Sequence, residues 1–233
     1  MKHIAIITAR GGSKRIPKKN IKEFCGKPII AYSIEAAVAS GLYDEVMVST
    51  DSEEIAAVAR QYGASVPFLR SEATSNDFAT TRDVLLEVLD AYAARGEQFD
   101  MMTCLYPTAP FITSAKLTDA VQRMTESDAD ALMPVVAYSF PPQRAMVIRD
   151  GCLEYQYPEH RNTRSQDLEP IYHDCGQFYV YRTASFIDAT AGSGKLIPMP
   201  MPEEETQDID NLSDWVLAEI KYRRFIEAGD DNG

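Results

Sequence analysis

The sequence is poor in nitrogen and sulphur ligands. It carries three histidines and four cysteines, and Cys25, Cys104, Cys152 and Cys175 are far apart. No C-x-x-C pair occurs, which argues against zinc-ribbon and dithiol chemistry, and three scattered histidines do not make a His-based metal centre. Cys104 sits in an apolar run and reads as core. Long apolar runs are missing too. None approaches the ~20 residues that span a bilayer, so no membrane helix is predicted. The segment from Met1 to Ile7 is short in apolar length for a secretory signal and leads into a charged loop, so the cytoplasm is the expected location. Two phosphate-binding patterns, G-x-x-x-x-G-K-[ST] and G-x-G-x-x-G, are also absent, which disfavours P-loop and dinucleotide-binding readings. Positive charge is in deficit: 23 Lys and Arg stand against 35 Asp and Glu, a formal charge of -12. Such a balance argues against a long nucleic acid as partner, which needs a broad basic face.

What is present is an ordinary globular composition, 45% hydrophobic and 25% charged over 233 residues, enough for one large domain with a substantial core. Charge is distributed unevenly. Residues 1–30 hold eight basic side chains (Lys2, Arg10, Lys14, Arg15, Lys18, Lys19, Lys22, Lys27) and one acid, Glu23. Most of these line Ala9-Arg10-Gly11-Gly12-Ser13-Lys14-Arg15-Ile16-Pro17-Lys18-Lys19-Asn20, directly after the buried-strand run Ile4-Ala5-Ile6-Ile7. A run of basic residues is most often a solvated loop. Here it leaves a strand end, contains Gly-Gly-Ser and flanks a proline. Glycines let backbone approach a phosphate and the cations neutralise it, so the loop is read as a nucleotide-triphosphate site.

Further along, strand and helix alternate. Helices are predicted from Pro28 to Ser40 with Gly41 after it, from Ser52 to Tyr62, from about Arg82 to Ala94 and from Ser114 to about Glu126. Strands are predicted at Glu45–Thr50, Ser65–Arg70, Met101–Leu105 and Ala131–Val136. This rhythm predicts an α/β fold, a mainly parallel sheet with helices on both faces. Ligands in such sheets bind beyond the carboxyl ends of strands. Arg10 to Lys19, Ser49 to Asp51, Arg70 to Asp77 and Tyr106 to Pro110 all follow strand ends, so they are expected to share one cleft. The Tyr106–Pro110 turn is either a rigid turn or a wall of that cleft. From Tyr138 the rhythm breaks, and residues 138–170 read as an extended arm with a hairpin turn at Asp150-Gly151. A strand at Gly176–Tyr181, a short helix from Thr183 to Ala189, a strand at Lys195–Met199 and a closing helix from Trp215 to about Ala228 complete the chain, read as one domain, 1–233.

Asp208 and Asp210 flank Ile209. In extended chain, residues two apart point the same way. Two carboxylates facing a triphosphate make a Mg²⁺ site of hard oxygen ligands. The competing reading is that Asp210 caps the last helix and Asp208 is solvated.

The basic loop, Val48-Ser49-Thr50-Asp51, Leu69-Arg70, Tyr106-Pro107-Thr108-Ala109-Pro110 and Asp208-Ile209-Asp210, in that order, resemble the motifs of the CMP-nonulosonic acid synthetases (the acylneuraminate cytidylyltransferase family) over nearly the whole chain. Ser139–Ala145, Asn162–Pro170 and His173–Tyr179 are most similar to the pseudaminic acid branch. Sialic acid enzymes typically carry Gln-Pro-Thr-Ser-Pro-Leu-Arg where this chain has Tyr106-Pro107-Thr108-Ala109-Pro110-Phe111-Ile112, which speaks against N-acetylneuraminate. The resemblance implies a nucleotide-diphospho-sugar transferase-like fold with an arm insertion, CTP and a 2-keto sugar acid as substrates, Mg²⁺ as cofactor, and a homodimer in which the arm takes part.

It also implies residue roles. Arg10 and Lys14 are the catalytic pair, holding phosphates and offsetting charge on the leaving pyrophosphate. Ala9, Arg10, Gly11, Gly12, Ser13, Lys14, Lys19, Asn20, Arg70, Ala79 and Thr81 bind the nucleotide. Tyr106, Arg164, Gln166, His173, Gln177 and Phe178 contact the sugar, with Arg164 for its carboxylate. Asp208 and Asp210 hold the metal. No general base is evident. The rival readings are a synthetase for N-acetylneuraminate, legionaminate or a shorter 3-deoxy sugar acid, and a nucleotide-binding module without turnover.

Overall fold

The structure is a computed structural model and describes residues 1–188 and 194–227. β1 (His3–Thr8) leads into the basic loop, which is followed by the short pair β2 (Glu23–Phe24) and β3 (Lys27–Pro28). Next come α1 (Ile29–Ser40), β4 (Glu45–Ser49), α2 (Glu53–Gln61), the single turn α3 (Glu72–Ser75) and α4 (Thr81–Ala93). β5 (Met101–Leu105), α5 (Ser114–Glu126) and β6 (Ala131–Ala137) follow. The arm carries the hairpin β7 (Met146–Arg149) and β8 (Cys152–Tyr155). β9 (Tyr172–Asp174), β10 (Phe178–Arg182), α6 (Thr183–Asp188), β11 (Leu196–Pro200) and α7 (Leu212–Tyr222) close the chain.

The main sheet has the order β11-β6-β10-β5-β1-β4, with β9 also on β6. β4, β1 and β5 are parallel, and so are β6 and β11; β9 and β10 run the other way. The mainly parallel sheet is as expected. The interior strand β1 is apolar from Ile4 to Ile7 because both of its faces are covered. Ala5 and Ile7 pack under α1, α2 and α5 with Ile34, Ile55 and Leu117. Ile4 and Ile6 pack under α4 with Leu85, Val88 and Tyr92. Each isoleucine fully buried there contributes about 1.5–3 kcal/mol relative to exposure.

A third apolar cluster joins distant parts of the chain. Ile16 of the basic loop, Phe24, Tyr32 of α1, Ile209, and Trp215 and Ala218 of α7 form it. The Phe24 ring meets Trp215 and Tyr32 edge-on at 5.5 and 5.6 Å. Burying Ile209 against Ile16 brings the Asp208–Asp210 segment to the basic loop.

Several local expectations change. Residues 65–70 are not a strand. Ser65 makes one bridge to Met47, and Pro67 has no N–H to extend it; Arg70 N–H still donates to the Thr50 carbonyl at 2.8 Å, holding the segment against the end of β4. Thr113, not Ser114, caps α5. Asn211, not Asp210, caps α7, in a reciprocal capping box with Asp214, so the competing role for Asp210 falls away. α7 starts at Leu212 and gives way to a π-helical turn over Arg223–Glu227; Ala228 and Ala189, the expected helix ends, lie outside the described residues. β9 was not expected. It and β10 pair with β6 in registers three residues apart, so Cys175-Gly176-Gln177 loop out between them. The arm hairpin turns at Asp150 and Gly151, both with positive φ (51° and 77°), the type I′ geometry that Asp-Gly favours.

Candidate active site

The basic loop is held by its own backbone and by the end of β4. Ala9 N–H donates to the Ser49 carbonyl at 3.0 Å. Gly11 N–H donates to Asp51 Oδ1 at 2.7 Å. A Cβ at Gly11 would stand 3.3 Å from Ser52 Cβ, so a side chain there would require Ser52 to give by a few tenths of an ångström. Gly12 has open space around it. Buried Asn20 donates its amide to the Arg10 carbonyl at 2.8 Å, closing the loop on itself. Lys19 reaches the Ile209 carbonyl at 2.5 Å, and burial lowers its pKa below the usual lysine range.

Four other cations of the loop are matched to acids from elsewhere. Arg10 and Lys14 both meet Asp77, at 2.7 and 2.5 Å; Arg15 meets Asp210 at 2.8 Å, and Lys18 meets Glu54 at 2.6 Å. Lys14 first, then Arg10, holds the Asp77 carboxyl below the usual carboxylate range by hydrogen bonding. These pairs are solvent-exposed, and such pairs are individually weak. They are therefore readily exchanged for another anion.

The loop borders a cavity of about 420 Å³, lined by Thr8, Arg10, Ser13, Lys14, Arg15, Lys19, Asn20, Tyr106, Pro107, Thr108 and Asp210. A second cavity of about 240 Å³ shares Thr8 and Arg10 and is lined further by Arg70, Thr74, Asn76, Asp77, Ala79, Thr80 and Thr81. Four loops distant in sequence thus meet at the carboxyl ends of β1, β4 and β5, where open α/β sheets bind ligands. A larger cavity, about 790 Å³, opens at the opposite end of the sheet around Met1, Asp100 and Arg182; it lacks the basic loop.

Arg70 is buried, with Nε 3.0 Å from Ser49 Oγ and Nη2 2.6 Å from the Ser49 carbonyl. Those bonds fix its guanidinium beside the second cavity. Asp210 is partly buried and lines the main cavity, while Asp208, two residues before it, is exposed and does not line it. Burial first, and then the neighbouring Asp210 charge, raises the Asp208 carboxyl above the usual range. Two neighbouring carboxylates, each disfavouring the other's charge, fit a cation. Among the described residues no three His, Cys, Asp or Glu side chains gather as a metal site, so this pair alone cannot complete a magnesium shell.

The sugar-side residues divide. Tyr106 lines the cavity, its N–H donating to the Gln177 carbonyl at 2.9 Å. Gln177 is buried: Nε2 donates to the Glu205 carbonyl at 2.9 Å, while Oε1 has no partner among the described residues. Phe178 is a correction: its ring is fully buried in the core under α5, because β10 turns alternate residues inward, and it presents nothing to a ligand. Arg164 and Gln166 stand on the arm, not at the cavity. Arg164 is tied to Asp167 at 2.7 Å, and Gln166 borders a separate arm cavity with Tyr138 and Pro170. His173 is exposed on β9, its ring 4.7 Å from Tyr138. No motif marks Asp51 or Asp77 as a site residue; the signal for Asp51 is its place just after β4, and for Asp77 only its place in the loop that follows Arg70.

A family model described as cytidylyltransferase matches residues 4–186. This chain belongs to the cytidylyltransferase family. Among its curated relatives, the pseudaminic acid cytidylyltransferase of Campylobacter jejuni subsp. jejuni serotype O:2 is 37% identical over 228 residues, covering 96% of this chain and 97% of that one. The CMP-N,N'-diacetyllegionaminic acid synthase of Legionella pneumophila is 35% identical, covering 94% and 95%. These relatives put this cytidylyltransferase with the CMP-nonulosonic acid synthetases, as its motifs implied. Its fold is also that of a CMP:2-keto-3-deoxy-manno-octonic acid synthetase solved with CTP, at a TM-score of 0.69 and 19% identity over 97% of this chain and all of the other.

Proposed function

We propose that this cytidylyltransferase catalyses CTP + pseudaminic acid → CMP-pseudaminic acid + diphosphate, supplying the activated sugar for bacterial surface glycans or flagellin. The observation that carries the reading is the end-to-end likeness, at 37% identity, to a pseudaminic acid cytidylyltransferase of nearly the same length. The basic loop opening on the main cavity supports it.

In this reading the anomeric hydroxyl of the sugar acid attacks the α-phosphorus of CTP, and the bond to the β,γ-diphosphate breaks. Positioning and charge stabilisation carry such a transfer. Arg10 and Lys14 hold the β- and γ-phosphates and offset charge as pyrophosphate leaves. Ser13 and the Gly11-Gly12 backbone line the same groups. Arg70, Ala79 and Thr81 surround the cytidine side through the second cavity. Asp208 and Asp210 would hold Mg²⁺, and the ion would supply charge neutralisation. Tyr106 stands on the sugar side. The arm, with Phe140, Ile148 and Leu153 exposed, serves a homodimer.

The test is pyrophosphate release from CTP and Mg²⁺ with a panel of 2-keto sugar acids. Release with pseudaminate above the others is expected. Release with legionaminate or N-acetylneuraminate alone would overturn the substrate, and no release with any sugar would overturn the enzyme.

A further inference from the structure

Asp77 bridges two cations of the basic loop. Its two carboxylate oxygens are shared between two cations: Oδ1 accepts from Arg10 Nη1 at 2.7 Å and Oδ2 from Lys14 Nζ at 2.5 Å. Two oxygens of one phosphate group present the same pair of acceptors to the same two donors.

The placement is built. Upstream, Glu87 of α4 accepts from Ser71 N–H at 2.8 Å, from Ser71 Oγ at 2.9 Å and from Thr74 Oγ1. Asn76 Oδ1 then accepts from Phe78 N–H at 2.8 Å and Ala79 N–H at 3.0 Å, a turn that holds the backbone on both sides of Asp77. The Asn76 carbonyl takes a further bond from Arg10 Nη1 at 3.3 Å. Downstream, Thr80 and Asp83 cap α4 reciprocally. Both ends of the loop are fixed, and its middle offers one carboxylate to the two phosphate-binding side chains.

We infer that Asp77 is an internal competitor for the polyphosphate site: its carboxylate occupies Arg10 and Lys14 in the free protein, is displaced when a polyphosphate binds, and returns as pyrophosphate departs. The inference rests on the proposed roles of Arg10 and Lys14. Competition weakens CTP and pyrophosphate by a similar factor. CTP keeps its cytidine contacts through the second cavity, whereas pyrophosphate has only the cations. Asp77 therefore favours product release while leaving substrate binding adequate.

The test is calorimetric titration of the full chain with inorganic pyrophosphate and, separately, with CTP. Asp77→Asn keeps the side-chain shape and removes the charge. It is expected to bind pyrophosphate roughly three- to tenfold more tightly than the native chain, with a matching fall in the pyrophosphate inhibition constant. Asp77→Glu is expected to retain the native weak binding. Damage to the loop would weaken binding, so the direction of change separates competition from a structural role. Glu72→Gln, which removes a charge from the same loop away from the two cations, is expected to change nothing. Unchanged or weaker binding in Asp77→Asn would overturn the inference. So would equal tightening in Glu72→Gln, which would make the effect a general field. If the native chain bound CTP but not more tightly after Asp77→Asn, the nucleotide reading would stand and this inference would fall. Failure of all variants to bind either ligand would overturn both.

Discussion

The side-chain amide of Asn20 donates to the backbone carbonyl of Arg10 at 2.8 Å, so the two ends of the basic loop are joined across ten residues. Asn20 is buried, and Arg10 points its guanidinium into the cleft. The loop's shape therefore depends on a hydrogen bond its charges take no part in. Asn20→Ala leaves the carbonyl unpaired and is expected to cost about 1–3 kcal/mol of stability in urea denaturation, together with weaker CTP binding in titration. A variant with native CTP affinity would show that the loop holds its form without the bond.

Lys14 is 78% exposed and packs against nothing that folding needs. Lys14→Ala is expected to leave the folding stability within about 0.5 kcal/mol of native and to lower turnover by about 10²–10³-fold, the size of effect for a donor aimed at developing charge. Steady-state pyrophosphate release checks both halves when read beside a thermal melt. A variant of native rate would make Lys14 a surface lysine.

Asp210 lines the cavity and does not cap α7. Asp210→Ala should therefore keep the helix, since Asn211 and Asp214 still form the cap. Loss of Mg²⁺-dependent turnover with native circular dichroism is the expected outcome. Turnover that persists at native magnesium dependence would remove Asp210 from the metal site.

His3 is buried, with Nε2 2.9 Å from Thr103 Oγ1 and its ring edge-on to Tyr43 at 4.6 Å. Burial lowers its pKa to about 4 from the ordinary 6.5. The unfolded chain thus takes up a proton below about pH 6.5 that the folded chain refuses until about pH 4. Stability contributed by neutral His3 is full above pH 6.5 and falls between those values, by about 3 kcal/mol. Urea denaturation of the native chain and His3→Gln at pH 7 and pH 4.5 checks this. The pH-dependent loss should be smaller in the variant; equal losses would assign it to carboxylates instead.

Much of the fold is legible in the chain because its signals are local. The run Ile4–Ile7 is apolar on both faces, Ser52 starts a helix, and Asp150-Gly151 is a hairpin turn; each follows from backbone chemistry within a few residues. Residues 65–70 read as a strand by composition, and one missing N–H at Pro67 together with the lack of a continuing partner reduced them to a bridge. β9 is short and polar, Tyr172-His173-Asp174, and is a strand only because β6 extends past β10 to receive it. Phe178 looks like a motif residue beside Gln177, yet the loop at Cys175-Gly176-Gln177 sets which of the two faces the core.

The amino-acid sequence by itself determined the strand–helix alternation, the basic loop at a strand end, the paired Asp208 and Asp210, and the family. Those depend on residue type and short spacing. Tertiary structure alone decided which acid meets which cation. Asp77 lies 67 residues from Arg10 and Asp210 lies 195 residues from Arg15, and no local pattern encodes either pairing. Packing of Ile209 against Ile16 and Phe24, and the anchoring of residues 71–80 on α4, deliver those carboxylates to the loop. The physical reason is that backbone propensities act over a few residues, whereas a carboxylate is placed by the apolar contacts and hydrogen bonds that carry its segment.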